Sequence, residues 1–213
     1  MSEIRVENII GETGVDAVNF TKGVNVTGIA TATNVSVGSS VTASTFHGSG
    51  ASLTGISAGI TVAQQWRIIA DKSIGTSQSF LTSDWESVDT DGYGAIGSMT
   101  QSSGVFTFPL TGIYLIRFIG AHTATNGINW SQTEIHTTVD NSSYGVAGYG
   151  YFSCDSSGRW GTSVNEFMFD VTNTSTHKVK FACRGSNSSS KLYGANATNN
   201  NQTYVTFIRL ADT

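Results

Sequence analysis

The chain has 213 residues, with 24 Gly, a single Pro and only 12% charged side chains. Good helix formers are scarce while β-branched and aromatic residues are plentiful, which excludes a helical bundle or a doubly wound α/β enzyme and predicts an all-β protein. The net charge of -4 rests on only 11 scattered Lys and Arg, so no phosphate-tracking surface for nucleic acid is expected.

No apolar run approaches the roughly 20 residues that span a bilayer, so no membrane insertion is expected. The opening MSEIRVENIIGETG lacks the basic and apolar regions of a secretory signal, so if the chain leaves a cell it is expected to do so by lysis or another route. Cys154 and Cys183 cannot build a disulfide framework. They pair once at most, and the expectation is two small hydrophobes without a bond.

Taken in chain order, residues 1–60 have a grammar of their own. They contain two aromatics, Phe20 and Phe46, and no Trp, Tyr or Cys. A segment so poor in bulky side chains does not bury a core alone, yet its Val, Ile and Thr are unlike a disordered tail. A faint echo runs through Ala17–Phe20, Ala32–Val35 and Ala43–Phe46, with glycines punctuating the units. Short β units of this kind need neighbours, and other copies of the chain would supply them in an intertwined, trimeric β stalk. A flexible Gly/Ser/Thr linker is the alternative.

The stretch GIATATNVSVGSSVTASTFHGSGASLTGI resembles the shaft repeats of bacteriophage virion fibres, most closely at Thr45–Gly50 and Leu53–Ile56. The opening Ile4-Arg5-Val6-Glu7-Asn8-Ile9-Ile10 is similar to the starts of such proteins. This resemblance implies residues 1–20 docking on other virion proteins, with Ile4, Val6, Ile9 and Ile10 as the contacts, and a shaft over residues 21–60.

From residue 61 onward, strand signals recur at Gln65–Ala70, Trp85–Val88, Gly104–Pro109, Gly112–Ala121, Thr133–Val139, Gly148–Cys154, Val164–Val171, Lys178–Cys183 and Tyr204–Leu210. Asp-Gly, Asn-Ser-Ser and Ser-Ser-Gly turns separate them. Tyr114, Ile116 and Phe118 alternate with Leu115, Arg117 and Ile119, so both faces of that strand are largely apolar. Such a strand is central in a sandwich or lies at a subunit interface. A jelly-roll head over residues 61–213 is expected.

Gly104-Val105-Phe106-Thr107-Phe108-Pro109 followed by Gly112-Ile113-Tyr114-Leu115-Ile116-Arg117-Phe118 resembles the signature of complement-q globular heads, members of the tumour-necrosis-factor-like trimeric jelly rolls. The resemblance implies a homotrimer whose head shares a threefold axis with the stalk. It departs at Gly148–Trp160, which is richer in Gly and Tyr than the pattern.

Chemistry-bearing motifs are few. Gly92-Tyr93-Gly94-Ala95-Ile96-Gly97 matches a dinucleotide loop by letter, but no helix pattern follows it. Gly55-Ile56-Ser57-Ala58-Gly59 matches a nucleophile elbow without the α/β context that motif needs. Asp89 and Asp91, within the acidic run Asp84–Asp91, echo part of a calcium loop, although a solvated turn is expected and no cofactor is required. His122 and His136 show no ligand spacing, and Glu134 and Glu166 are isolated carboxylates, so no enzymatic activity is expected. The binding surface is placed on the Tyr/Gly-rich stretch: Tyr144, Tyr149, Tyr151, Arg159 and Trp160 combine rings that stack on sugars with adaptable polar neighbours. Ser186–Asn201 is expected as an exposed tip.

The resulting expectation is a homotrimeric, non-enzymatic phage fibre on the virion, assembled in the host cytoplasm, whose head meets a host cell-surface glycan or protein or decorates the particle. The alternatives are a secreted lectin-like module and a polysaccharide-degrading tailspike.

Overall fold

A computed structural model describes residues 23–33, 35–45, 47, 59–195 and 200–213. The chain divides into two units, Met1–Leu53 and Thr54–Thr213. In the first, the described residues form no strand and expose their apolar side chains; Ile29 is 93% accessible, and Val24, Val35 and Val41 stand open as well. Ile4, Val6, Ile9 and Ile10, expected above as docking contacts, Leu53–Ile56, expected as shaft, and most of the elbow motif lie outside the described residues.

The second unit is built of strands β1 (Ala63–Ile68), β2 (Lys72–Ile74), β3 (Ser79–Phe80), β4 (Trp85–Ser87), β5 (Thr100–Ser102), β6 (Val105–Thr107), β7 (Gly112–Ala124), β8 (Ile128–Thr138), β9 (Gly145–Cys154), β10 (Arg159–Val171), β11 (Lys178–Gly185), β12 (Ser190–Leu192) and β13 (Tyr204–Ala211). No helix occurs among the described residues, so none is long and apolar enough to cross a membrane. One sheet runs β2-β12-β7-β13-β1-β4, with β10 on the other edge of β7; the second runs β5-β6-β11-β8-β9, with β3 on β11. Every named pairing is antiparallel.

The core between the sheets follows from alternation. Tyr114, Ile116 and Phe118 of β7, Val205 and Phe207 of β13, and Val179 and Phe181 of β11 all point inward and are fully buried. Phe106 is the hub, its ring 5.1 Å from Trp85, 5.2 Å from Phe207 and 5.6 Å from both Phe181 and Trp66. Removing such a ring costs about 3–5 kcal/mol. Two inward rings have their polar ends satisfied locally: Trp85 Nε1 donates to Leu81 O at 2.7 Å, and Tyr114 Oη to Leu110 O at 2.9 Å, whereas the buried Trp66 Nε1 has no partner among the described residues.

Two connections set the surfaces. Ser103 and Gly104 form the two-residue turn between β5 and β6, both with positive φ, the geometry that matches strand twist. A Cβ on Gly104 would meet Leu81 O at 2.1 Å, so only glycine fits. The turn after β9 then switches sheets, carrying the chain from the edge of one to the edge of the other. Asn165 of β10 bridges that seam, donating to Thr133 O at 3.2 Å and Gly148 O at 3.3 Å.

One expectation needs correction. Ser186–Asn201 is not simply a tip: β12 lies within it, pairing with β2 and β7, and Ser190 and Leu192 are fully buried. The cysteines are free, Cys183 buried and Cys154 half-buried.

Candidate functional site

Each sheet presents one face to the core and one outward, and the two outward faces differ in chemistry. On the seven-stranded sheet, β7 turns Leu115, Arg117 and Ile119 outward, and β13 adds Tyr204, Thr206 and Ile208 beside them. Along edge strand β10 stand Val164 and Met168, 50% and 60% accessible. Arg117 pairs with Glu166 within this otherwise apolar field.

The six-stranded sheet is different. Its register lines up Tyr151, Gln132 and Arg184 across β9, β8 and β11, and in the next row Tyr149, Glu134, Ala182 and Phe80. Tyr149 and Tyr151, two residues apart on one strand, project to the same side, with ring centroids 6.0 Å apart and planes 28° from parallel. They are 51% and 59% accessible.

Beside the rings lies a buried polar floor. Glu134 Oε2 accepts from Gln78 Nε2 at 2.5 Å and meets His136 Nε2 at 2.6 Å, while its other oxygen accepts from Gln132. This satisfies a carboxylate that is 1% accessible on an outward face. Lys180 Nζ sits between two rings, 3.8 Å from the centroid of Phe80 and 3.9 Å from that of Tyr144, and desolvation holds its pKa below the usual lysine value. The exposed Arg184 guanidinium lies 5.2 Å from the Trp130 ring centroid.

The structure therefore divides the predicted binding residues. Tyr144, Tyr149 and Tyr151 share this face. Arg159 and Trp160 belong to β10 in the other sheet: Arg159 Nε donates to Ser156 Oγ at 3.1 Å, and Trp160 packs on Tyr193 at 4.4 Å. Gln132, Glu134, His136, Lys180 and Arg184 join the tyrosines only through cross-strand register.

The remaining candidates are dispersed. Asp89 accepts from Arg67 and Asp91 stands exposed in the turn; among the described residues no cluster of three His, Cys, Asp or Glu is arranged to hold a metal ion. His122 faces the core from β7 of the seven-stranded sheet, and His136 lies on the outward side of β8 in the six-stranded sheet. His122 Nε2 is 2.7 Å from Ser163 Oγ and its Nδ1 3.0 Å from Ser131 Oγ. Burial of all three groups makes this a structural network rather than a nucleophile and base open to substrate. Glu134 and Glu166 stand on different sheets, and the loop Gly92–Gly97 runs into β5 rather than a helix.

No protein-family model matches the chain, and no curated protein matches it in sequence. Among solved structures, it is similar to murine APRIL at pH 5.0, with a TM-score of 0.50 and 10% identity over 70% of this chain and 98% of that one. The Eiger TNF from S. frugiperda matches with a TM-score of 0.48 and 12% identity, over 71% of this chain and 94% of that one. With the two antiparallel sheets, the first of these likenesses identifies the fold as a tumour-necrosis-factor-like jelly roll.

Proposed function

We propose that the chain is a non-enzymatic, homotrimeric fibre protein of a bacteriophage virion. Residues 1–20 dock on the particle, residues 21–60 form the shaft, and residues 61–213 form a head that binds the host surface or decorates the particle. The observation that carries the reading is the outward face of the seven-stranded sheet. Met168, Leu115 and Ile208 in one row and Val164 and Ile119 in another offer apolar surface on either side of the Glu166–Arg117–Thr206 row, which a second and third copy around an axis would cover. The open valines and Ile29 of residues 23–45 support the same arrangement, since three intertwined copies would bury what one leaves exposed. The resemblance of Thr45–Gly50 to phage shaft repeats supports the virion as its location.

Three equivalent heads on one axis bind through avidity, so no single site has to be tight. Electron microscopy of intact particles labelled with an antibody to the head tests this reading. Label at the ends of projecting rods is expected; a compact protein found on no particle would move the reading to a secreted binding module.

A further inference from the structure

We infer that the outward face of the six-stranded sheet is a docking platform for an acidic polysaccharide, one whose sugar rings carry carboxylates. The inference rests on the reading of the head as a binding module and names the ligand class and the residues.

The charge of the sheet is the first argument. In a chain of net charge -4, the six strands of this sheet carry Lys178, Lys180 and Arg184 against a single acidic residue, Glu134; Lys178 is buried and donates to Thr107 Oγ1 and Thr174 O, so Lys180 and Arg184 are the cations this face presents. That carboxylate is buried and saturated by Gln78, Gln132 and His136, so it presents no exposed negative charge to an incoming anion. The exposed Asp140 lies at the β8–β9 turn beside Tyr144, at the opposite end of β8 from the row of Tyr151, Gln132 and Arg184, so the end of the face around Arg184 is the part complementary to a polyanion.

The rings supply the second argument. Tyr149 and Tyr151 are near-parallel and exposed, and neither hydroxyl has a hydrogen-bond partner among the described residues. Two rings in a row present flat apolar surface to the C–H faces of consecutive sugars, with hydroxyls at the edge for polar contact. Arg184 stands two strand spacings from Tyr151, about 10 Å across the sheet, with buried Gln132 between them. Its guanidinium has no hydrogen bond among the described residues and lies over the Trp130 ring at 5.2 Å from its centroid. A planar fork in that place takes a sugar carboxylate bidentately while the ring of the same or the next sugar lies on tyrosine. The Glu134 network fixes the floor on which both rows stand.

The test uses the full chain in affinity electrophoresis through gels containing polygalacturonate or alginate, with neutral dextran as the comparison. Retardation by at least one acidic polymer and not by dextran is expected, weakening as salt is raised. Arg184→Gln and Tyr151→Ala should each weaken binding roughly tenfold or more, and Arg184→Lys should recover only part of the loss. Unchanged melting temperatures would show that the variants are folded. Equal retardation by dextran, no retardation by either acidic polymer, or full binding by folded Arg184→Gln would each overturn the inference. The mass in solution, measured on the same sample, separates this from the fibre reading. A trimer that binds no acidic polymer overturns the inference alone, and a monomer that binds overturns the fibre alone.

Discussion

Arg67 and Asp89 meet at 2.6 Å, and the same guanidinium nitrogen donates to Glu86 at 2.8 Å, although the arginine side chain is entirely buried and both carboxylates are part-exposed. The acidic run that by letter echoes a calcium loop is thus organised around a cation supplied by β1. Thr90 Oγ1 accepts a further bond from Arg67 Nη1 at 3.2 Å. Arg67→Leu strips the counter-charge from Glu86 and Asp89 and should lower stability by about 2 kcal/mol, less than for a fully buried pair because water reaches both acids. Urea denaturation checks this; an unchanged midpoint would show that the pair is worth little.

The apolar field of the seven-stranded sheet has its own prediction. Ile208→Glu and Met168→Glu place charges where copies would meet, without touching the inward residues Val205, Phe207 and Phe169. Both variants should keep the native near-ultraviolet spectrum and lose the trimer, as read by sedimentation. Trimers in both would place the contact elsewhere.

Stability should depend on acid through His122. Burial pushes its imidazole down to about 4 from the ordinary 6.5, so between these values the unfolded chain binds a proton that the folded chain refuses. Stability from this residue is complete above about pH 6.5, falls as the pH drops, and levels off below about pH 4. The loss amounts to about 3 kcal/mol. Denaturation midpoints at several pH values should trace this fall, and His122→Gln should flatten it; an identical slope in the variant would contradict the assignment.

The cysteines should differ in reactivity. Cys183 is buried against the core, and desolvation pushes its thiol up to about 12, with the nearby Glu134 charge adding to the effect. Cys154 is half-buried at the end of β9. A thiol reagent should label Cys154 in the native protein and reach Cys183 only on unfolding. Labelling of both at equal rates would show that the sheet edge opens.

The long strands were legible because their alternation is strong: β7 reads inward and outward along most of its length, and the Gly104–Phe118 pattern marks it. Strands β2, β3, β5 and β12 were not, since two or three residues carry no period. β12 hides in a Ser/Asn run, where its pairing with β7 and β2 comes from the backbone. The tyrosines of β9 stood out by composition. Their separation from Trp160 did not, because the sheet switch at the β9–β10 turn leaves no mark in residue type. Gln132, Glu134 and Arg184 were equally hidden, since cross-strand neighbours are set by register. Glu134 looked isolated in the sequence and is the most heavily bonded carboxylate of that face.

Light scattering on the purified full chain tests most directly whether three copies assemble through the outward face of the seven-stranded sheet. A single species with three times the 22.5 kDa chain mass, unchanged on dilution through the micromolar range, is the predicted result. A species of one chain mass at those concentrations would contradict it.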